Sequence, residues 1–301
     1  MTRRDLLKLG TLSYADLLLS LQSPIIALPL FPDGSKTTAK ETPLREIPGL
    51  TDKDELPPQL WERLREATVK AFASNLGADH GNMGSAVHIG NRVLLTNRHV
   101  VLDENNNNRQ LPFILVGHNS YDWARVSRVW QHPSQDLAVL VHEPYSYIDA
   151  DQPFGLTANP VAQKPLVPGE VVFGYDYQTD IDPREGKESI HRSRKIYLGK
   201  HVEEIPWLPG SPKNKVMFFA DNIDARENKP STSGGASGSS LVNASGEIVA
   251  ITYGNYVESA GEHPGIAEIY RELGWDPKSE MKIAFAVPIA ALQKYPRVAK
   301  R

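Results

Sequence analysis

The chain has 301 residues, with 33 basic side chains against 36 acidic ones and a formal net charge of −3. That near-balance argues against a nucleic-acid partner, whose binding proteins usually carry a basic excess. A hydrophobic fraction of 40% with 23% charged residues excludes global disorder, and the absence of cysteine excludes a disulfide scaffold, zinc–thiolate and iron–sulfur sites and a thiol nucleophile.

No run of about 18 purely apolar residues occurs, so a multi-spanning membrane protein is not expected. The chain opens Thr2-Arg3-Arg4-Asp5-Leu6-Leu7-Lys8, and a mildly apolar run follows from Leu17 to Pro32. A basic start before an apolar middle is what an export leader needs. The stretch resembles the twin-arginine export signal, with Leu6 where Phe is usual. That resemblance implies a leader over residues 1–32 and export of the folded protein to the periplasm or beyond, without stable membrane insertion once the leader is gone. Asp16 inside the apolar region, and only poor cleavage patterns at Ile25-Ile26-Ala27 and Thr37-Thr38-Ala39, keep a cytoplasmic protein as the alternative.

Residues 33–80 are expected to be a linker and an N-terminal helix. The linker is polar and punctuated by Pro43, Pro48, Pro57 and Pro58. Leu60, Trp61, Leu64, Ala67, Val69, Ala71 and Phe72 then give partial helical periodicity over 59–72. From Met83 the texture changes to short strands. Ser85 to Ile89 and Arg92 to Thr96 flank the turn pair Gly90-Asn91, a hairpin by pattern. Further strands are predicted at 112–117, 122–130, 137–142, 170–175, 194–198, 216–220, 240–243, 247–253 and 282–287. Many short strands with little helix predict an all-β barrel or sandwich. The Asn105–Asn108 tract, residues 176–191 and residues 206–212 read as loops.

Three segments carry chemistry. Leu94-Leu95-Thr96-Asn97-Arg98-His99 puts a histidine at the end of an apolar strand. Asp136-Leu137-Ala138-Val139-Leu140 puts an aspartate at the start of another. Ser233-Gly234-Gly235-Ala236-Ser237-Gly238-Ser239-Ser240 puts a serine in a glycine-rich turn. A serine hydroxyl is a poor nucleophile at neutral pH and needs an adjacent base. The histidine supplies it when a buried carboxylate fixes its tautomer. A glycine-rich turn offers backbone N–H groups, here those of Gly235 and Ser237, to a developing oxyanion. The chain order His, Asp, Ser is one of the recurring triad orders.

Taken together, these segments resemble a chymotrypsin-fold, trypsin-like serine peptidase over residues 80–293, of the bacterial branch that includes HtrA-like and glutamyl endopeptidases. Pro168-Gly169-Glu170 running to Gly174-Tyr175, and Phe285-Ala286-Val287-Pro288-Ile289, resemble second-barrel strands of that family, with a C-terminal helix from Ala290. The resemblance implies a peptidase domain over 81–296, built as two six-stranded antiparallel β-barrels. It implies His99 as general base and acid, Asp136 as its orienting carboxylate, Ser237 as nucleophile, and Gly235 and Ser237 as the oxyanion hole. No PDZ module is expected, nor any cofactor or metal, and the implied partners are protein or peptide substrates. Ala236 precedes the nucleophile where trypsin has Asp, so activation by a freed N-terminus is not expected.

Substrate contacts are expected from Ser231, Gly234, Thr252, Tyr253 and Gly254. The histidine of glutamyl endopeptidases is missing near Thr252, and no carboxylate stands around Ser231, so a small or apolar P1 residue is expected. His88 is read as structural, His132 as a turn residue, Asp176, Asp180 and Asp182 as a solvated loop, and Asn243-Ala244-Ser245 as a hairpin turn. Two rival functions stay open: a catalytically silent domain that binds peptides or a partner protein, should the oxyanion turn be collapsed, and an esterase. Residues 33–82 are also open to reading as an inhibitory pro-segment.

Overall fold

The computed structural model describes residues 55–75, 81–103, 109–118, 122–147, 151, 153–177, 190–203, 214–221, 223–224, 229–230, 235–259, 267–268, 271–276 and 280–289. The leader region, the loop tip at 105–108 and the helix expected from Ala290 lie outside them.

Helix α1 spans Pro58–Ala67. Pro58 suits its first turn, where a missing N–H costs nothing and the fixed φ is already helical. The helical periodicity of the sequence runs on to Phe72, but the helix stops at Ala67. Thr68 turns extended and caps it, giving both its backbone N–H and its hydroxyl to the Leu64 carbonyl. Thr68 is thereby also the first residue of β1 (Thr68–Ser74), with no linker between. Pairing to two neighbouring strands outweighs the local helical pattern here.

The first barrel uses β1, β2 (Gly81–Gly90), β3 (Val93–Thr96), β6 (Phe113–Gly117), β7 (Trp123–Gln131) and β8 (Ala138–His142), closed in the order β1-β2-β3-β8-β7-β6. A small ribbon, β4 (Leu102–Asp103) and β5 (Arg109–Gln110), stands beside it. Asn91 and Arg92 join β2 to β3 with φ of 52° and 62°, the left-handed pair that a tight hairpin turn needs. The second barrel uses β9 (Val171–Tyr177), β10 (Ile190–Glu203), β11 (Asn214–Asp221), β14 (Ser240–Val242), β15 (Ile248–Ser259) and β16 (Glu280–Pro288), closed as β10-β11-β16-β15-β14-β9. Between β11 and β14 lies the ribbon β12 (Ile223–Asp224) and β13 (Lys229–Pro230). All pairings in both barrels are antiparallel. This is the chymotrypsin-like double barrel.

Strand alternation sorts the side chains. One face fills the first barrel with Val69, Ala71, Ala86, Leu94, Val116 and Leu140. The corresponding face of the second barrel carries Val172, Tyr197, Met217, Phe219, Leu241 and Ala286. The opposite faces meet between the barrels, where Val87, Leu95 and Val139 pack with Phe173, Ile196 and Ile251. Leu64 and Ala67 of α1 join that shared core. Trp61 stands edge-on to Phe173 at 5.8 Å, under the Arg192 guanidinium at 5.2 Å. The helix thus braces both barrels.

The segment connecting the barrels closes one end of the first. Phe154 lies edge-on to His142 at 5.1 Å, and His142 lies 5.9 Å from His88. His88 Nδ1 donates to the Thr157 carbonyl at 3.2 Å, and Asn159 N–H donates to the His88 carbonyl at 3.0 Å. From outside, Glu66 accepts the Thr157 hydroxyl at 2.7 Å, and Arg63 donates to the Asn159 amide oxygen at 3.0 Å. His88 is therefore structural, as the sequence suggests.

Candidate active site

His99 begins a single 3-10 turn, His99–Val101, directly after β3. Asp136 lies in the turn before β8, 3% exposed. Because β3 pairs with β8, Thr96 opposite Ala138, the two ends are brought side by side. Asp136 then holds His99 at two points. Its Oδ1 accepts the His99 backbone N–H at 2.9 Å, and its Oδ2 lies 2.7 Å from Nδ1. A carboxylate only accepts, so in the neutral ring the proton sits on Nδ1 and Nε2 carries the lone pair. The buried Asn97 amide braces the same loop by donating to the Asp136 carbonyl at 2.9 Å.

Ser237 comes from the second barrel, in the turn before β14. The turn is pinned to β15: Gly238 N–H donates to the Thr252 carbonyl at 2.9 Å, and Thr252 N–H donates to Ser239 at 2.7 Å. Gly235 and Gly238 hold φ of 92° and 90°, which favour glycine. At Gly238 a Cβ would stand 2.0 Å from the Ser85 carbonyl, so no other residue fits there. Ser237 Oγ donates to the Tyr253 carbonyl at 2.9 Å. The Tyr253 ring in turn stands edge-on to His99 at 5.2 Å. Tyr253 thus touches both Ser237 of the second barrel and His99 of the first.

The family described as the trypsin-like peptidase domain matches residues 84–251. The chain belongs to this family. Its enzyme class is that of a serine-type endopeptidase. No curated protein sequence matches the chain. Among solved structures, the active form of the Rv3671c protease from M. tuberculosis is similar at a TM-score of 0.53 and 14% identity, over 86% of this chain and 91% of that one. Deg5 gives 0.51 at 16% identity, over 81% and 94%. The HtrA-type protease AlgW, solved with a tripeptide, gives 0.51 at 17%, over 80% of this chain and 62% of that one. At these identities the likeness is one of fold.

Within this trypsin-like domain Asp136 contacts His99 directly, Tyr253 touches both Ser237 and His99, and Thr252 bonds to Gly238 and Ser239 beside Ser237. Thr252 and Tyr253 are buried, while at Gly254 a Cβ would meet nothing within 4 Å, so that strand position faces open space. Ser231 and Gly234 lie outside the described residues. His132 is a turn residue, its Nδ1 accepting the Ser134 N–H at 3.1 Å. Asp176 corrects the solvated-loop expectation, because β9 extends to Tyr177 and leaves Asp176 2% exposed; Asp180 and Asp182 lie outside the described residues. Asn243 forms the expected hairpin turn, its side-chain oxygen accepting the N–H groups of Ser245 and Glu247 at 3.0 Å each. Among the described residues no three His, Asp or Glu side chains gather as a metal site, and no helix is long and apolar enough to cross a membrane.

Sequence reasoning missed three supports of the site: Ser85, Thr96 and Asn97. Each is fully buried, and each acts through a hydrogen bond to a backbone atom on another element: Thr96 to Ser85, Asn97 to Asp136 and Ser85 to Gly235. Small polar residues in or beside strands carry no local signal of such contacts.

Proposed function

We propose that the protein hydrolyses peptide bonds within protein or peptide substrates through an acyl-enzyme on Ser237. The observation that carries this reading is the two-point hold of Asp136 on His99, which leaves Nε2 as the basic atom. In the proposed cycle the Ser237 hydroxyl turns from the Tyr253 carbonyl towards His99. Its oxygen attacks the substrate carbonyl carbon as its proton passes to Nε2. The N–H groups of Gly235 and Ser237 receive the oxyanion. The C–N bond then breaks and His99 protonates the departing amine. Water attacks the ester with His99 again taking the proton, and Ser237 recovers its own as the acid product leaves. Asp136 stays ionised and steadies the imidazolium throughout.

Labelling with a fluorophosphonate, followed by peptide mapping, tests the assignment. A single adduct on Ser237 that is absent from Ser237→Ala supports it. An unlabelled wild type that still binds peptides favours the silent-domain reading, to which the resting Ser237–Tyr253 bond would then belong.

Arg3-Arg4 and the apolar run behind them support export by the twin-arginine route. Amino-terminal sequencing of fractionated cells tests this, and an intact Met1 in the cytosol would overturn it.

A further inference from the structure

On β2, Ser85 commits every polar atom it has, three of four bonds running to the second barrel. Its hydroxyl donates to the Gly235 carbonyl at 2.9 Å and accepts the Tyr177 N–H at 3.3 Å. Its backbone N–H donates to the Ser237 carbonyl at 2.7 Å. Its own carbonyl accepts the Thr96 hydroxyl at 2.7 Å. The side chain is fully buried. One residue of the first barrel therefore grips the second barrel's turn on both sides of Ala236.

Two glycines let the barrels come this close. A Cβ on Gly84 would stand 2.8 Å from the Ser237 carbonyl, and one on Gly238 would stand 2.0 Å from the Ser85 carbonyl. The segment so gripped is the one whose N–H groups are to receive an oxyanion. Gly235 has φ of 92° and no Cβ, so the peptide that follows it rotates at little steric cost. Were its carbonyl to swing into the cleft, the negative end of a dipole would sit where negative charge must develop. The Ser85 hydroxyl gives that carbonyl a buried partner on the first barrel.

We propose that Ser85 is a positioning residue for the oxyanion turn, holding Gly235 and Ser237 in the competent arrangement from the opposite barrel. This rests on the peptidase reading of Ser237. Ser85 touches no substrate and acts through the two carbonyls it holds. A separated first barrel leaves the turn without its support even when the second barrel is folded.

The test compares the full-length wild type with Ser85→Ala, Ser85→Cys and Ser85→Thr in peptide turnover, in fluorophosphonate labelling and in crystal structures. In Ser85→Ala, kcat falls about 10- to 100-fold while KM stays within about twofold, a smaller loss than deleting an oxyanion donor because the donors remain and lose only their aim. Ser85→Thr keeps the hydroxyl and restores most of kcat. Ser85→Cys, a weaker donor, falls between. In the Ser85→Ala crystal the Gly235 carbonyl has left its place. A kcat within about twofold of wild type, or an unmoved carbonyl, overturns the proposal. If Ser85→Ala does not fold, Ser85→Cys takes its place, and wild-type kcat there overturns the proposal equally. If the wild type itself neither labels nor turns over peptide, the peptidase reading falls and the crystal comparison alone decides Ser85.

Discussion

The hydroxyl of Ser237 rests on the backbone carbonyl of Tyr253 at 2.9 Å, while the Tyr253 ring meets His99 edge-on at 5.2 Å. A carbonyl can hold a hydroxyl proton but cannot take it. On the proposed mechanism this resting bond orients the Ser237 hydroxyl without activating it, and reaction requires the hydroxyl to turn towards Nε2 of His99.

Asp136→Asn should keep the fold and lose the chemistry. The amide would set a donor where one of two acceptors now serves His99, so the proton moves to Nε2 and the base is lost. We expect kcat to fall by about 10⁴-fold with an unchanged thermal midpoint. Steady-state peptide turnover beside circular dichroism checks it, and a variant with near-normal kcat would remove Asp136 from the mechanism.

Gly238→Ala and Gly254→Ala should behave oppositely. At Gly238 the added carbon meets the Ser85 carbonyl at 2.0 Å and the Thr96 hydroxyl at 2.3 Å, with φ of 90°. A loss of about 2–4 kcal/mol is expected, with loss of Ser237 labelling. At Gly254 the carbon meets nothing within 4 Å, and stability should change by no more than about 0.5 kcal/mol. Urea unfolding of the two variants tests the contrast; equal midpoints would contradict it.

Acid should loosen the first barrel. Burial lowers the pKa of both His88 and His142 from the usual 6.5, and for His142 the nearby His88 and Arg92 act in the same direction. Below 6.5 the unfolded chain therefore takes up protons that the folded chain refuses, so these groups make stability fall as pH falls and rise as pH rises. The slope is up to about 1.4 kcal/mol per pH unit for each histidine. Unfolding midpoints between pH 7.5 and 4.5 (a range chosen to bracket the roughly 6.5 imidazole value) should show it. His142→Gln should flatten the profile, and an undiminished slope there would point to other groups.

A chain beginning at Asn82 should not fold cooperatively, whereas one beginning at Glu55 should. Strand β1 pairs with β2 through seven residues and with β6 through five, so its removal opens the first barrel. Leu64→Ala alone should cost about 2–5 kcal/mol, because its fully buried side chain lies in the core shared by both barrels. Denaturant titration followed by tryptophan fluorescence distinguishes these outcomes. On that outcome Pro58–Ser74, packed into the shared core and the first barrel, would not be a detachable pro-segment.

The strands of both barrels other than β1 were legible because alternation and turn residues are local. The strand predicted at 137–142, found at Ala138–His142, and the hairpin predicted around Gly90-Asn91, whose turn falls one residue on at Asn91-Arg92, needed only near neighbours in the chain. His99, Asp136 and Ser237 stand out as candidates in the sequence because chemistry restricts their types and the flanking motifs are distinctive, and the structure places Asp136 on His99. The sheet position of Thr68 to Ser74 was not, since it depends on partners at Gly81–Val87 and Phe113–Gly117. Asp176 was misplaced for a related reason: polar neighbours suggested a loop, while pairing with His191 extended the strand past it.

The chain has no cysteine, so no covalent bridge ties the barrels and their docking rests on apolar contact and hydrogen bonds such as those of Ser85. On the proposed mechanism, a molecule whose barrels have parted has its base on one half and its nucleophile on the other. Parting of the barrels would thus disarm the enzyme even where each barrel kept its own strand pairing.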